Sequence, residues 1–331
     1  MKREASFCVP AGNPSETVLA FLARRFTYHS HEVWQARVAE GRVQVNGQVA
    51  RSEGPLAPGD RIEYDSHDLP EPPVATGYAV RFEDADLLVV DKPGNLPCHP
   101  AGAYFNHTLW ALLKSRHGLE SPAFVNRLDR ETSGLVVVAK NAETARSCQS
   151  EFAGRRVGKR YQVLVEGVFP EVWEARGVMR ADPAGPVRKR RLFVEGGTAG
   201  EAGSDWAETS FRRLAAGGGI SLVEAAPATG RLHQIRATLW AGGFPVVGDK
   251  LYGVDPELFL RFCKGALTDA DAAALRLNRQ ALHAGWLRMR HPRTREWLEL
   301  EAPLPGDMAA LVLLFRLSLT KPGAILHNDG L

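Results

Sequence analysis

In the stretch VNRLDRETSGLVVVAK, Val125 to Lys140, Asp129 lies between Arg127 and Arg130, and a turn of small residues, Thr132-Ser133-Gly134, follows it. Nearby guanidinium groups favour the ionised form of a carboxyl and lower its pKa. The apolar run Leu135 to Ala139 reads as a buried strand. A turn beside such a strand would hold Asp129 in one orientation at a surface or cleft. A carboxylate placed in that way can act as nucleophile or general base, including beside phosphates. Taken alone, the same residues more often form a structural salt-bridge cluster at a strand end, because ion-pair networks also perturb carboxylates.

A second marked stretch is ATGRLHQIRATLWAGGFPVVGDKLYG, Ala228 to Gly253. A helix from about Leu232 stacks Leu232, Ile235 and Leu239 on one face and puts His233, Arg236 and Trp240 on another. Arg231 and Arg236 then reach the same neighbourhood. Between the two stretches, Arg188-Lys189-Arg190-Arg191 is a basic run that suits either a solvated loop or contact with phosphates. Several other chemistries fail on spacing. GFPVVGDK has Asp249 where a P-loop places its phosphate lysine, and the Gly-rich stretch 196–203 lacks GxGxxG spacing. His29 and His31 have no Cys or carboxylate nearby to complete a metal set, and no GxSxG elbow exists.

The chain of 331 residues is long enough for one large domain and a smaller one, and its net charge of +3 leaves any polyanion surface to local clustering. Four scattered cysteines, Cys8, Cys98, Cys148 and Cys263, suit neither a disulfide framework nor a zinc site. The N-terminus lacks the apolar core of a signal peptide, and no run of about 18 apolar residues exists. The expectation is a cytoplasmic, monomeric protein without a membrane span.

Positioning elements follow from periodicity. Residues 1–12 read as an extended arm. A helix begins near Ser15, its expected cap, with Val18, Leu19, Leu22 and Phe26 at helical spacing, and a second runs from His31 to Glu40 with Val33, Trp34 and Val38 inward. Arg42 to Ala50 alternates as a hairpin turning at Asn46-Gly47, and Pro58-Gly59-Asp60 leads into a strand at Arg61 to Tyr64. Asp68 to Thr76 carries three prolines in nine residues and reads as a linker. Beyond it come strands at Tyr78 to Phe82 and Leu87 to Asp91, a helix at His107 to His117 capped by Thr108, and a helix from Asn141 to about Arg156. A strand opens at Tyr161, and Trp206 to Leu214 pairs with Ile220 to Ala225. A helix fits Pro256 to Lys264, strands fit Ala281 to Arg290 and Trp297 to Glu301, and a last helix fits Asp307 to Leu317.

The two helices followed by GRVQVNG and PGDRIEY resemble the S-four-type RNA-binding domain, which implies RNA backbone contacts from Arg24, Arg25 and Arg37. RLDRETSGL, KRYQVLV, GRLHQIR and PVVGDKLYG, in that order, resemble the RluA-type RNA pseudouridine synthases over Tyr78 to Leu317. One departure is Asn126, where that family commonly has His. The resemblance implies an α+β pseudouridine synthase fold: a central mixed, mostly antiparallel sheet with flanking helices, preceded by a small α/β RNA-binding domain. The implied division is an arm (1–12), an RNA-binding domain (13–67), a linker (68–76), a catalytic domain (77–320) and a tail (321–331). It implies isomerisation of uridine in structured RNA without metal or organic cofactor. Large-subunit ribosomal RNA is the leading target, ahead of transfer RNA, and a non-catalytic assembly factor of the same fold is the remaining alternative. Asp129 would be the essential carboxylate, Tyr161 would stack on the uracil, and Arg236, or failing it Arg231, would pair with Asp129. Arg127 would stabilise the flipped nucleotide, while Arg130, Arg231, His233, Arg188, Lys189 and Arg190 would contact RNA.

Overall fold

Residues 4–12, 15–26, 29–65, 71–185, 187, 189–197, 203–255 and 257–319 are described by the computed structural model. The chain divides into two compact units, Met1–Val74 with His99–Leu112, and Ala75–Cys98 with Leu113–Leu331.

In the first unit the chain forms β1 (Glu4–Cys8), α1 (Val18–Arg25), α2 (His31–Ala39), β2 (Val43–Val45), β3 (Gln48–Val49) and β4 (Arg61–Asp65). Its sheet is antiparallel in the order β1-β4-β2-β3. Asn46 and Gly47 both take positive φ, 52° and 77°, which is the two-residue turn that matches the twist of the strands it joins. Phe21, Leu22, Trp34 and Val38 from the helices pack with Val43, Ile62 and Tyr64 from the sheet. Three details differ from the sequence reading. The arm contributes strand β1. The cap of α1 is Thr17, whose hydroxyl accepts from the Ala20 amide, and not Ser15. Val33 is 40% exposed, because the α2 side that holds Trp34 and Val38 is narrow.

In the second unit the chain runs β5 (Ala79–Glu83), β6 (Leu87–Lys92), α3 (Leu109–His117, which begins in the first unit), β7 (Ala123–Phe124), β8 (Ser133–Ala139) and α4 (Ala142–Ala153). It continues through β9 (Gly158–Glu166), β10 (Val172–Ala181), β11 (Arg191–Glu195), β12 (Ser204–Gly217), β13 (Ile220–Pro227) and α5 (Gln234–Ala241). Last come α6 (Leu258–Cys263), α7 (Asp269–Leu275), β14 (Leu282–Arg290), β15 (Trp297–Glu301), α8 (Gly306–Leu314) and β16 (Ser318–Leu319). Twelve strands form one sheet with the central order β11-β10-β12-β13-β9-β14-β8-β6-β5. Every pairing is antiparallel except that of β8 with β14. All seven residues of β8 are buried, which is why it reads as a continuous apolar run. Gly134 begins that run at φ 113°, where a Cβ would stand 2.3 Å from the Ala284 carbonyl oxygen, so only glycine lets β8 and β14 meet there. Among the described residues no helix is long and apolar enough to cross a membrane.

The sequence reading passed over β10, β11 and α7. β10 alternates exposed Glu174 and Arg176 with buried Ala175, and its charges hide the period. α7 did carry a signal, a capping box in which Thr268 and Asp271 satisfy each other's amides. Two further expectations fail. α5 starts at Gln234, leaving Leu232 outside it and 46% exposed, and α8 ends at Leu314, short of the expected Leu317.

Candidate functional site

Asp129 sits in the loop that enters β8, and three ties fix that loop. The Thr132 amide donates to the Asp129 carbonyl at 3.2 Å, and the Leu96 amide donates to the Arg130 carbonyl at 3.0 Å. Lys92, fully buried at the end of β6, donates its Nζ to the carbonyls of Pro93 (2.9 Å) and Arg130 (3.2 Å). Burial pushes the Lys92 ammonium down to about 8, and those carbonyls replace the water it loses. Behind the loop, Asn126 accepts from the Val137 amide (2.8 Å) and donates to the Leu135 carbonyl (3.2 Å). Asn126 thus acts as a side-chain clamp on β8.

The Asp129 side chain is 29% exposed, and its two oxygens differ. Oδ2 accepts from Arg236 Nη1 at 2.7 Å and from Gln280 Nε2 at 3.4 Å. Oδ1 has His233 Nε2 at 3.9 Å, beyond hydrogen-bonding distance, and accepts no hydrogen bond among the described residues. Burial works to raise the Asp129 pKa, but the Arg236 guanidinium together with the hydrogen bonds from Arg236 and Gln280 holds the carboxyl below its ordinary range. His233 adds little to this at neutral pH, because burial pushes its own pKa down to about 4 and leaves it uncharged.

Arg236 is itself held from behind. Its Nε and Nη2 form a fork to Asp249 at 2.6 and 2.8 Å, and the Asp249 side chain has no exposed surface. Asp249 Oδ1 also accepts the amides of Leu251 and Tyr252, each at 2.9 Å. Burial opposes the charge of Asp249, and Arg236 with these amides wins, so its pKa is lowered. Gln280 places its other contact on the Thr132 hydroxyl, joining the start of β14 to the loop. Glu131 is taken up by its own partners: Lys250 Nζ reaches both of its oxygens at 3.1 Å, Arg130 reaches one at 2.9 Å, and the Gln280 backbone amide donates to Oε2 at 3.2 Å.

Tyr161 stands half-buried on β9, and burial, with the charge of Asp129 adding to it, pushes its hydroxyl up to about 12. Asp129, Tyr161, His233 and Arg236 therefore come from one loop, one strand and the start of one helix into a single neighbourhood. Arg127 is exposed next to Asp129 and makes no ion pair among the described residues. Arg130 is half-buried, its guanidinium 5.5 Å from the Phe262 ring centre.

Other expected contacts lie elsewhere. Arg231 does not pair with Asp129; it reaches Asp205 at 3.5 Å and the Trp206 carbonyl at 3.1 Å. Arg190 is not a solvated base: it is 8% exposed, paired with Asp182, and its guanidinium lies 4.3 Å from the Trp240 ring centre. An aromatic seat and a buried carboxylate hold Arg190 more firmly than water would. Lys189 is exposed, and Arg188 lies outside the described residues. In the first unit Arg24 and Arg25 are exposed, with Arg24 paired to Glu16 and Arg25 4.9 Å from the Phe7 ring centre. Arg37 is 8% exposed, so it does not belong to the exposed helix face where the sequence reading set it. Sequence reasoning gave no role to Asp249, Gln280 or Tyr252. Asp249 and Tyr252 lie in PVVGDKLYG, which served to exclude a P-loop and to carry the family resemblance without a role for either residue; Gln280 precedes its strand without any mark.

Comparison with known proteins gives a consistent result. A family model described as RNA pseudouridylate synthase matches residues 86–241. The chain is 34% identical over 311 residues to an uncharacterized RNA pseudouridine synthase, YlyB, of Bacillus subtilis, covering 90% of this chain and 93% of that protein. It is 37% identical over 246 residues to ribosomal large subunit pseudouridine synthase D of Nitrosomonas europaea, covering 72% of this chain and 65% of that one. Among solved structures it resembles Human RNA Pseudouridylate Synthase Domain Containing 4, with a TM-score of 0.57 and 25% identity over 73% of this chain and 95% of that chain.

Proposed function

Because this chain belongs to the RNA pseudouridine synthase family, and so isomerises uridine in RNA, we propose that Asp129 is the carboxylate on which that reaction turns. The carrying observation is the asymmetry of its oxygens: Arg236 and Gln280 hold Oδ2, and Oδ1 is left to the substrate. Isomerisation breaks the bond from uracil nitrogen to ribose, turns the base, and rejoins it through carbon, with no net change of oxidation state. An ionised carboxylate with one open oxygen, fixed beside the sugar–base junction, suits attack or proton removal there. The target nucleotide must leave its stack, at a cost of a few kcal/mol. Exposed Arg127 is placed to take the vacated space, and Tyr161 to stack on the flipped uracil. Tyr161 keeps its proton at neutral pH, which suits a hydrogen-bond donor or late proton source.

The first unit is read as an S-four-type RNA-docking module, with exposed Arg24 and Arg25 on the RNA side; Lys189 is a further phosphate contact in the catalytic unit. The RNA is large-subunit ribosomal RNA, a target that the printed name of the Nitrosomonas relative supports. The protein acts as a cytoplasmic monomer. Pseudouridine mapped in RNA from cells carrying only Asp129→Asn tests the site. Loss of specific pseudouridines with retained RNA binding is expected, and normal levels overturn the assignment. Mapping in a deletion strain tests the target: losses confined to transfer RNA would replace ribosomal RNA in this reading.

A further inference from the structure

His233 is the one group facing Asp129 whose role the site so far leaves open. It precedes α5 with φ 57°, a left-handed conformation that a non-glycine residue adopts at some cost, and its side chain does not cap the helix. The ring is turned into the site instead, 9% exposed, with Nε2 3.9 Å from Asp129 Oδ1 and Nδ1 3.0 Å from Tyr252 Oη. Tyr252 is fully buried, and its Oη accepts the Arg191 amide at 2.7 Å.

Counting protons then decides the tautomer. Burial pushes the Tyr252 hydroxyl up to about 12, so it keeps its proton at neutral pH, while burial and Arg236 leave His233 with a single proton. Oη already receives one N–H from Arg191. If His233 also donated from Nδ1, the phenolic proton would be buried without an acceptor among the described residues, an unfavourable state for a buried donor. If the phenol donates to Nδ1, all three groups are satisfied and the imidazole proton sits on Nε2. The charged groups that face this ring, Asp129, Arg236, Asp249 and Arg191, arrive from four different segments and oppose one another in sign.

We infer that Tyr252 is a positioning residue that fixes His233 as the Nε2–H tautomer, so that this N–H stands beside Asp129 Oδ1 as a donor to an oxygen of the target nucleotide. The gap of 3.9 Å is too long for a direct bond to Asp129. A nucleotide oxygen lodged beside it, a ribose hydroxyl or a uracil carbonyl, accepts the hydrogen bond while the neighbouring carbon or its proton meets Oδ1. The inference rests on the assignment of Asp129, but its first readout needs neither RNA nor activity.

The test is the side-chain nitrogen NMR spectrum of His233 in the full chain, together with single-turnover pseudouridine formation on total RNA from cells lacking the enzyme. Wild type is expected to show protonated Nε2 and bare Nδ1 at pH 7. Tyr252→Phe keeps the ring that packs 5.6 Å from His233 and 5.0 Å from the Arg236 guanidinium, and removes only the hydroxyl. It should give a mixture of tautomers and lower the rate at saturating enzyme in proportion to the Nε2–H fraction lost, about twofold for an even mixture, with the half-saturating enzyme concentration unchanged. His233→Gln, which keeps an N–H donor, should retain more activity than His233→Ala. A wild-type imidazole protonated on Nδ1 or on both nitrogens overturns the inference, as does an unchanged tautomer and rate in Tyr252→Phe. Full activity of Asp129→Asn would instead sink the underlying site assignment and leave the tautomer result standing.

Discussion

Replacing Asp249 by Asn probes the hidden half of the site. The substitution preserves shape, and its Oδ1 can still accept the Leu251 and Tyr252 amides. What changes is the other oxygen, which becomes an NH2 group facing Arg236 Nε, a donor against a donor. Arg236 is 7% exposed, so its charge cannot turn to water and would depend on Asp129 alone. Breaking one side of a buried, hydrogen-bonded ion pair typically costs about 3–5 kcal/mol. For a unit of this size roughly 2–4 °C of melting temperature go with each kcal/mol, so the second unit should melt about 6–20 °C lower. Activity should fall more steeply than stability, because a released guanidinium can swing to grip both oxygens of Asp129 and close the open one. The assays are calorimetric unfolding and single-turnover pseudouridine formation below the variant's melting range. A melting shift under about 2 °C would refute the energetic argument, and a destabilised variant with the wild-type rate would refute the claim that Asp249 keeps Asp129 available.

Acid should cost the fold stability through His233: below its ordinary pKa of 6.5 the unfolded chain takes up a proton that the native ring refuses until about pH 4. The full loss between those values approaches about 3 kcal/mol, of which about 2 kcal/mol falls between pH 7 and 5; urea unfolding at these two pH values should show it in wild type and not in His233→Gln, and the same pH dependence in both would refute it. The double variant Arg24→Ala/Arg25→Ala should reduce the slope of log affinity against log salt by about 1–2 with the saturated single-turnover rate unchanged, and an equal slope would remove RNA docking from that face.

How much of this was legible in the sequence depended on whether a residue's partner was local. The loop of Asp129 and strand β8 were readable because turn residues and a continuous apolar run lie together in the chain. The hairpin at Asn46-Gly47 was readable for the same reason, since positive φ at both positions is written in the residue types. Arg236 came to the site through the order of motifs, and its contact with Asp129 spans 107 positions. Arg190 could not be read from its neighbours. A run of four basic residues looks solvated until the residue just past β10, Asp182, and Trp240 of α5 are brought to it. Asp249 and Tyr252 lay inside a marked motif, but their roles, like that of Gln280, exist only through contacts made in the folded chain, so the local sequence could not assign them.

The row Asp129–Arg236–Asp249 also explains why a buried arginine does not quench the carboxylate it orients. A guanidinium presents donors along two edges, and a lone carboxylate opposite it tends to take a fork of two hydrogen bonds. Here the fork of Nε and Nη2 is spent on Asp249, so only Nη1 remains for Asp129, and it binds Oδ2 alone. Two carboxylates against one guanidinium leave the row with net negative charge, and the amides of Leu251 and Tyr252 settle most of it on Asp249. Asp129 is thereby held ionised and in one orientation while its second oxygen stays open. Asp249 thus decides which oxygen of Asp129 is held and which is left open, although it is itself buried.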